Sequence, residues 1–565
     1  MMMSLQSRLL TFFDVRRHES RLVLLVLLYT ILLYAGNLLT YTGAYSLFLT
    51  TYDVTALPAV YIGVSIVASL LALLYLQLNK RFTLVPLLVG NLLFLALTLL
   101  GYGVGVRLPA PPWLIFTLPV YYGVVNTITI TTFWNLVGRL FTLEQSKRLF
   151  GLLTTGEHLA TISMGFLTPF LVQWTGAGNL LFVAAALITG ALVVLGYLMQ
   201  GYQLLLQSAE RPREQLTNNQ HSTPSQGALR ATDPYLLLVY SLFMLYILGL
   251  YFVNNIFYGQ VESHYPNAEQ LAAFLSLLYG VVGVGSLLLQ ALIAGRLTQR
   301  FGAQRLLLLL PGCLLIIMGL FAVIGTATDL TRPLFWLAVL ASGACTLLDA
   351  ITWSAVNLLY HPLPPGQRTR IQTTVTGIVY PLGIGAAGLL LFYLTKQLQW
   401  TAVQLAAGLL LIVAGWLCLT LWLARAYPPK MRQILAARTA GMFKGIPKPL
   451  PHLAGFEQAS LPASAGEVSD LLDLWEEVAP DQVADLLRRL IAHALPAVRL
   501  DVYQRIERLR LSPLLPVIRQ QLAGEASPAV QAAGLRILAT HGESQLHDEA
   551  VLFTQSPLLL EEVSG

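Results

Sequence analysis

Charge is what this sequence has least of. Of 565 residues only 11% are Asp, Glu, Lys or Arg, against about 25% in a soluble globular chain. The deficit excludes an ordinary cytosolic enzyme and a disordered chain, since both need a charged surface. Cysteine is scarce too: Cys313, Cys345 and Cys418 all fall inside apolar runs, which leaves no disulfide framework. The nine histidines and three cysteines show no zinc spacing. No glycine-rich loop ends in Lys-Ser or Lys-Thr, so ATP hydrolysis is not expected to drive the protein. No local Ser/His/Asp grouping points to nucleophilic catalysis. An enzyme is therefore not expected, and neither is a cofactor or a metal. Gly383-Ile384-Gly385-Ala386-Ala387-Gly388 has the spacing of a dinucleotide loop, but it follows Pro381 inside an apolar run. Small residues there, and at Gly280, Gly283 and Gly285, are expected to let helices pack closely.

The uncharged residues come in blocks. No charge occurs over Leu22–Tyr52, Val54–Asn79, Phe82–Val106 or Leu108–Gly138. Each block exceeds the ~20 apolar residues that cross a bilayer as a helix. The pattern predicts an all-α polytopic membrane protein with twelve transmembrane helices. Six spans fall at 22–49, 57–78, 84–105, 113–138, 148–173 and 179–204. Six more fall at 235–258, 271–295, 304–325, 334–359, 371–395 and 400–424. The domain expectation is an N-terminal six-helix half over 1–206, a cytoplasmic linker over 207–233 and a C-terminal half over 234–426. A second linker over 427–466 and helical repeats over 467–565 follow.

Orientation follows from Lys and Arg. With the N-terminus in the cytoplasm, 23 of the 26 basic residues up to Lys448 lie in inside segments. The outside loops carry only Arg107, Arg332 and Lys396. Both termini are thus expected in the cytoplasm. Two six-helix blocks joined by a polar linker resemble the major facilitator superfamily, whose halves rock about a central site. Gly295 to Gly302, with Arg296 and Arg300, resembles the basic loop of that family, and Asn79-Lys80-Arg81-Phe82 occupies the equivalent place in the first half. Nucleic acid is not an expected partner, because the basic residues are dispersed among lipid-embedded segments.

Beyond Pro449 the balance turns acidic, with 8 basic and 16 acidic residues. Pro496-Ala497-Val498-Arg499 recurs 32 residues later as Pro528-Ala529-Val530-Gln531, and Tyr503 and Ile506 align with Leu535 and Leu538. Helical pairs at this period resemble HEAT repeats, which suggests a module for a cytoplasmic protein partner.

An ionisable side chain at membrane depth is a functional candidate by default. Glu157 and His158 fall near the middle of the fifth span, and Asp349 falls in the tenth. They are candidates for substrate binding or for carrying a coupling ion, against the plainer reading of interhelical contacts, for Asp349 with Thr352 or Trp353. Glu262 and His264 follow the seventh span and read as solvated. Asn37, Tyr41 and Tyr45 recur every four residues and share a helix face. Asn37, Tyr41 and Asn135 join the candidate site. Asn126, Asn254, Asn255 and Asn357 are further polar residues within spans.

The junction of the fourth and fifth spans resembles the ATP/ADP translocases of plastids and intracellular bacteria. The motif is Phe133-Trp134, Glu144, Lys147-Arg148 and Leu149-Phe150. The second half resembles facilitator-type relatives of that family with soluble repeat tails, through Leu271 to Leu275, Gln290, and Leu359 to Pro364 followed by Arg368 and Arg370. The resemblance covers about residues 14–424. It implies a small-molecule substrate, a nucleotide where it extends to the cargo, and a bacterial inner membrane as host. Glu144, Lys147, Arg148, Arg296, Arg368 and Arg370 would then form a cytoplasmic ion-pair gate. One departure stands out. The translocases carry a charged cluster late in the first helix, where this chain has Thr40-Tyr41-Thr42-Gly43-Ala44-Tyr45. The expectation is a secondary transporter working by alternating access. The alternatives are a membrane scaffold or sensor that presents the tail, and an exporter of lipids or other hydrophobic compounds.

Overall fold

The computed structural model describes residues 19–108, 111–141, 143–201, 234–290, 305–327, 331–360 and 365–442. In the C-terminal region it describes 468–469, 472, 476, 483–493, 495–509, 511–522 and 524–540. Among these residues every regular element is helical. The chain divides into two compact units, Met1–Ala424 and Arg425–Gly565.

The first half of the first unit contains α1 (Ser20–Thr51), α2 (Leu57–Arg81), α3 (Leu84–Arg107), α4 (Pro112–Leu140), α5 (Leu143–Thr175) and α6 (Leu180–Gly201). The second half contains α7 (Pro234–His264), α8 (Ala268–Leu288), α9 (Leu309–Ala327) and α10 (Thr331–Leu358). Next comes a rod of two parts, α11 (Pro365–Thr374) and α12 (Tyr380–Phe392), joined by a π-turn at Val375–Val379. α13 (Ala402–Met442) closes the series. Eleven helices among the described residues are long and apolar enough to cross a membrane. α5 is a twelfth rod of 33 residues that is less apolar, because Glu157, His158 and several threonines lower its middle.

The bundle has two ends. The terminal end holds the starts of α1 and α7, and the far end holds the turns after α1 and α7. Trp113, Trp174 and Trp336 stand exposed on rods at the far end, with Trp174 88% exposed. Tryptophan collects at the rim of a bilayer, where its ring is buried and its N–H stays wet. Leu411 and Ile316 are exposed between the ends, as lipid-facing residues would be. Inside, α1 packs on α4, α5 and α6, around fully buried Tyr29, Leu33, Leu92 and Ile188. Hydroxyls at this depth bond back along their own helix: Thr30 to Val26 O at 2.8 Å, Thr40 to Gly36 O at 2.8 Å and Thr42 to Leu38 O at 3.1 Å. This lets α1 carry threonine without an orphaned donor.

Glycine sets how near the halves approach. A Cβ on Gly165 of α5 would lie 2.4 Å from Gly280 Cα of α8. One on Gly388 of α12 would lie 2.9 Å from Pro58 O of α2, and one on Gly385 would lie 2.7 Å from Ser65 Oγ. Ser65 Oγ donates to Pro381 O at 2.7 Å across the same interface. The glycines of the loop-like motif are therefore helix contacts.

The structure corrects several boundaries. α5 begins at Leu143, so Glu144, Lys147 and Arg148 ride its first two turns instead of a loop. α7 runs to His264, so Glu262 is helical. α13 continues through Pro428-Pro429 to Met442, so residues 427–442, expected as linker, are helical. Two prolines cost two ladder bonds there, and flanking residues of good helix propensity carry the rod onward.

In the second unit α14 (Val483–Leu490), α15 (Pro496–Leu509), α16 (Leu515–Leu522) and α17 (Pro528–Thr540) enclose a core of Leu487, Val502, Tyr503, Ile518 and Ile537. α15 and α17 each open on the proline of the repeated motif. Proline fits there because the first helical N–H has no acceptor anyway. Arg499 donates to both carboxylate oxygens of buried Glu525, at 2.8 and 2.6 Å. Arg505, 5% exposed, reaches Asp501, Glu476 and Ser469.

Candidate functional site

The centre of the first unit is a set of tyrosines contributed by both halves. Tyr41 on α1 touches Tyr45 and, across the bundle, Tyr122 on α4 and Tyr279 on α8, with centroids 4.9, 5.2 and 4.9 Å away. Tyr45 stacks on Tyr258 of α7 at 4.8 Å and 14°. The Tyr41 and Tyr258 hydroxyls lie 2.7 Å apart and share a hydrogen bond. Tyr61 of α2 meets Tyr251 of α7 edge to face at 4.6 Å. The rings belong to rods of opposite halves, so they join the halves by aromatic contacts.

Toward the terminal end of this cluster the polar residues gather on the same rods. Asn37 lies one turn from Tyr41 and donates Nδ2 to Asn126 Oδ1 at 3.1 Å, while Asn126 lies one turn from Tyr122. Asn37 Oδ1 is buried and has no donor among the described residues. Glu157 sits 14 residues into α5, about 21 Å along the rod at ~1.5 Å per residue. Its carboxyl lies within electrostatic reach of Tyr34, Tyr122 and Asp349. Asp349 of α10 accepts a hydrogen bond from the Tyr246 hydroxyl of α7 and lies within reach of Tyr380. Its partner is thus a tyrosine 103 residues away and not Thr352 or Trp353. Thr352 instead bonds back to Leu348 O at 2.9 Å. His158 donates Nε2–H to Gln290 Oε1 at 2.7 Å, and Gln290 reaches Thr154 at 3.4 Å, which bridges α5 to the end of α8.

Not every expected residue joins this centre. Asn135 donates to the Tyr75 hydroxyl at 2.9 Å and ties α4 to α2 near the terminal end. Arg368 donates to Tyr360 O at 3.2 Å at the foot of α11, and Arg370 is exposed. Arg296 lies outside the described residues, as do the side chains of Glu144, Lys147, Arg148 and Asn357. Glu262 is not simply solvated: its carboxylate accepts the Val54 N–H at 2.9 Å across the halves. Lys396 grips the same turn through Thr55 Oγ1 at 2.7 Å. Tyr122, Tyr258 and Tyr279 were not singled out from sequence, because a tyrosine in an apolar run has no periodic signal of its own.

Comparison with known proteins adds three findings. The family model described as Major Facilitator Superfamily matches residues 25–387. No curated protein matches the chain. Among solved structures, the nucleoside transporter NupG aligns with a TM-score of 0.50 at 15% identity, covering 72% of this chain and 98% of its own. The POT family transporter PepTSo aligns with a TM-score of 0.51 at 11% identity, covering 72% of this chain and 98% of its own. At such identity the likeness is one of fold.

Proposed function

This chain belongs to the Major Facilitator Superfamily, and on that premise we propose that it is a secondary transporter working by alternating access. The terminal end faces the cytoplasm of a bacterial inner membrane, and the substrate reaches the centre between the halves. Glu157, Asp349, Asn37 and Tyr41 bind substrate or a coupling ion, with His158 holding α5 to α8 beside them. Glu144, Lys147, Arg148 and Arg296, with Arg368 and Arg370, form the cytoplasmic gate.

One observation carries the reading. Gly165 meets Gly280 and Gly388 meets Pro58 across the halves, with no room for a Cβ, on the far-end side of the mid-depth carboxyls. Buried charge at that depth is costly unless it serves a pathway. The Glu262 and Lys396 contacts clasp the same far end. We read this as the conformation closed to the outside.

A disulfide tests it. A Cβ on Gly259 would lie 3.6 Å from Val54 Cγ1 and 3.7 Å from Cγ2, the positions a cysteine sulfur would take there, so a small backbone shift brings the pair to disulfide geometry. In a cysteine-free background, Val54→Cys with Gly259→Cys is expected to crosslink. Oxidation should stop exchange of nucleosides, ADP, short peptides and amines in proteoliposomes, and reduction should restore it. If solutes still move through the fully crosslinked protein, alternating access fails. Adding Glu262→Ala to the pair removes one hydrogen bond to a charged group, worth about 1.5 kcal/mol net. It should slow crosslinking about tenfold, measured by thiol loss over time.

The resemblance to ATP/ADP translocases at the fourth junction supports a distant kinship. A nucleotide cargo would need cations, and the described Lys and Arg of the first unit all lie in the first or last two turns of their rods. For the second unit we propose a HEAT-like module that binds a cytoplasmic protein. Its support is the 32-residue recurrence of proline-led helices that pack together.

A further inference from the structure

The centre described above is built almost wholly of acceptors and ring faces. Glu157 of α5 and Asp349 of α10 come from opposite halves. Each is partly exposed within the bundle, and so are Tyr122 and Tyr279. Asn37 Oδ1 is a buried acceptor with no donor among the described residues. Tyr41, Tyr45 and Tyr258 are buried against one another, and the Tyr41 and Tyr258 hydroxyls share a hydrogen bond, so the ring surface left open is that of Tyr122 and Tyr279. No described Lys or Arg stands within two turns of this depth on its rod. An orphaned acceptor is a stated cost until a donor arrives. Two carboxyls with no described Lys or Arg beside them, and with His158 turned to Gln290, lower that cost most when a positive charge enters between them. Tyrosine faces attract the same charge.

We propose that this site selects organic cations, solutes with a protonated or quaternary amine and an apolar body, and rejects anions. The amine lies between Glu157 and Asp349, an N–H donor where present meets Asn37 Oδ1, and the apolar body lies on Tyr122 and Tyr279, which Tyr41 backs. The proposal rests on the transporter reading for the route in and deepens it by naming the cargo. It separates this chain from nucleotide exchange on chemistry: a triphosphate would bring about four negative charges to a site that already holds two carboxyls.

The test is equilibrium binding to the full-length protein in detergent, by calorimetry. The probes are benzyltrimethylammonium, benzoate, uridine and ADP. Benzyltrimethylammonium is expected to bind at least tenfold tighter than the other three. Glu157→Gln and Asp349→Asn, isosteric but neutral, should each weaken it at least tenfold, and Tyr41→Leu should weaken it several-fold. Each variant is accepted only if it elutes as a single species with a near wild-type melting temperature. The proposal is overturned if benzoate or ADP binds better than the cation, or if both carboxyl variants bind the cation as wild type does. Uptake in proteoliposomes separates it from the reading beneath it. Uridine moving while the cation neither binds nor moves removes the cargo class and leaves the transporter. Carboxyl-dependent cation binding with no solute moving leaves the site and removes the transporter.

Discussion

Gly165→Leu is expected to abolish closure of the far end. A side chain there meets backbone, Gly280 Cα at 2.4 Å, Gly280 N at 2.7 Å and Ser276 O at 2.9 Å. Backbone of a packed rod cannot swing aside as a flexible side chain would. Overpacking that a core can partly absorb costs ~1–3 kcal/mol. Here two helices must separate by the width of a side chain, so the cost falls at or above that range. The closed population should drop by about two orders of magnitude. The measure is disulfide yield from the Val54→Cys, Gly259→Cys pair, which should become negligible, and transport should cease with it. Gly151→Leu on the same helix is the control, since nothing lies within 4 Å of a Cβ there. It should crosslink as the parent does. Gly165→Leu crosslinking at the parental rate would refute the role given to the α5–α8 contact.

Arg499→Ala is expected to unfold the second unit while sparing the first. It removes both Arg499 donors from a carboxylate that is only 8% exposed and leaves it the Ser527 N–H at 2.9 Å. Removing one partner of a buried pair typically costs ~3–5 kcal/mol, because the remaining charge stays uncompensated. That is a large part of what a small helical module has in reserve. Hydrogen exchange of the full-length protein, corrected for intrinsic rates, should show protection lost over 496–540 and kept in α1 and α7. Acid should do the same more gradually. The Arg499 hydrogen bonds hold the Glu525 carboxyl below its ordinary range, more than burial raises it. A carboxyl whose folded value is depressed contributes its full stability above the unfolded value of about 4.3. That stability is lost as pH falls through the lower folded value. Protection should therefore decline below about pH 4, and more steeply in wild type than in Arg499→Met. Equal slopes would mean the pair does not govern the acid response.

The rods were legible because hydrocarbon forbids charge over a fixed length. Which rods carry Glu157, His158 and Asp349 followed from the spacing of charge, although α5 starts at Leu143, ahead of the expected span. The small residues from Gly383 to Gly388 were readable as contacts because their motif lay in an apolar run. What was not legible depends on pairing between segments far apart in sequence. Tyr246 holds Asp349, and Tyr258 holds Tyr41 from 217 residues away. In an apolar segment, a tyrosine facing lipid and one facing another tyrosine read alike. Glu262 looked solvated because α7 seemed to end at residue 258, and the extra turns carry it to Val54. Pro428-Pro429 suggested a stop, yet a helix can run through prolines at the loss of a few ladder bonds.

The π-turn at Val375–Val379 fits one more residue into a coil than its neighbours hold. Everything downstream on that rod is offset by one position, which is about 100° of rotation. The offset aims Gly383, Gly385 and Gly388 at Ile247, Ser65 and Pro58 in turn. Deleting a single amino acid from this coil, for instance Gly377, would wind it back to ordinary pitch. Larger side chains would then face α2 and α7, and Tyr380 would turn away from Asp349. A one-codon deletion far from any loop would thus dismantle both the seam and the centre, although composition and hydropathy would be almost unchanged.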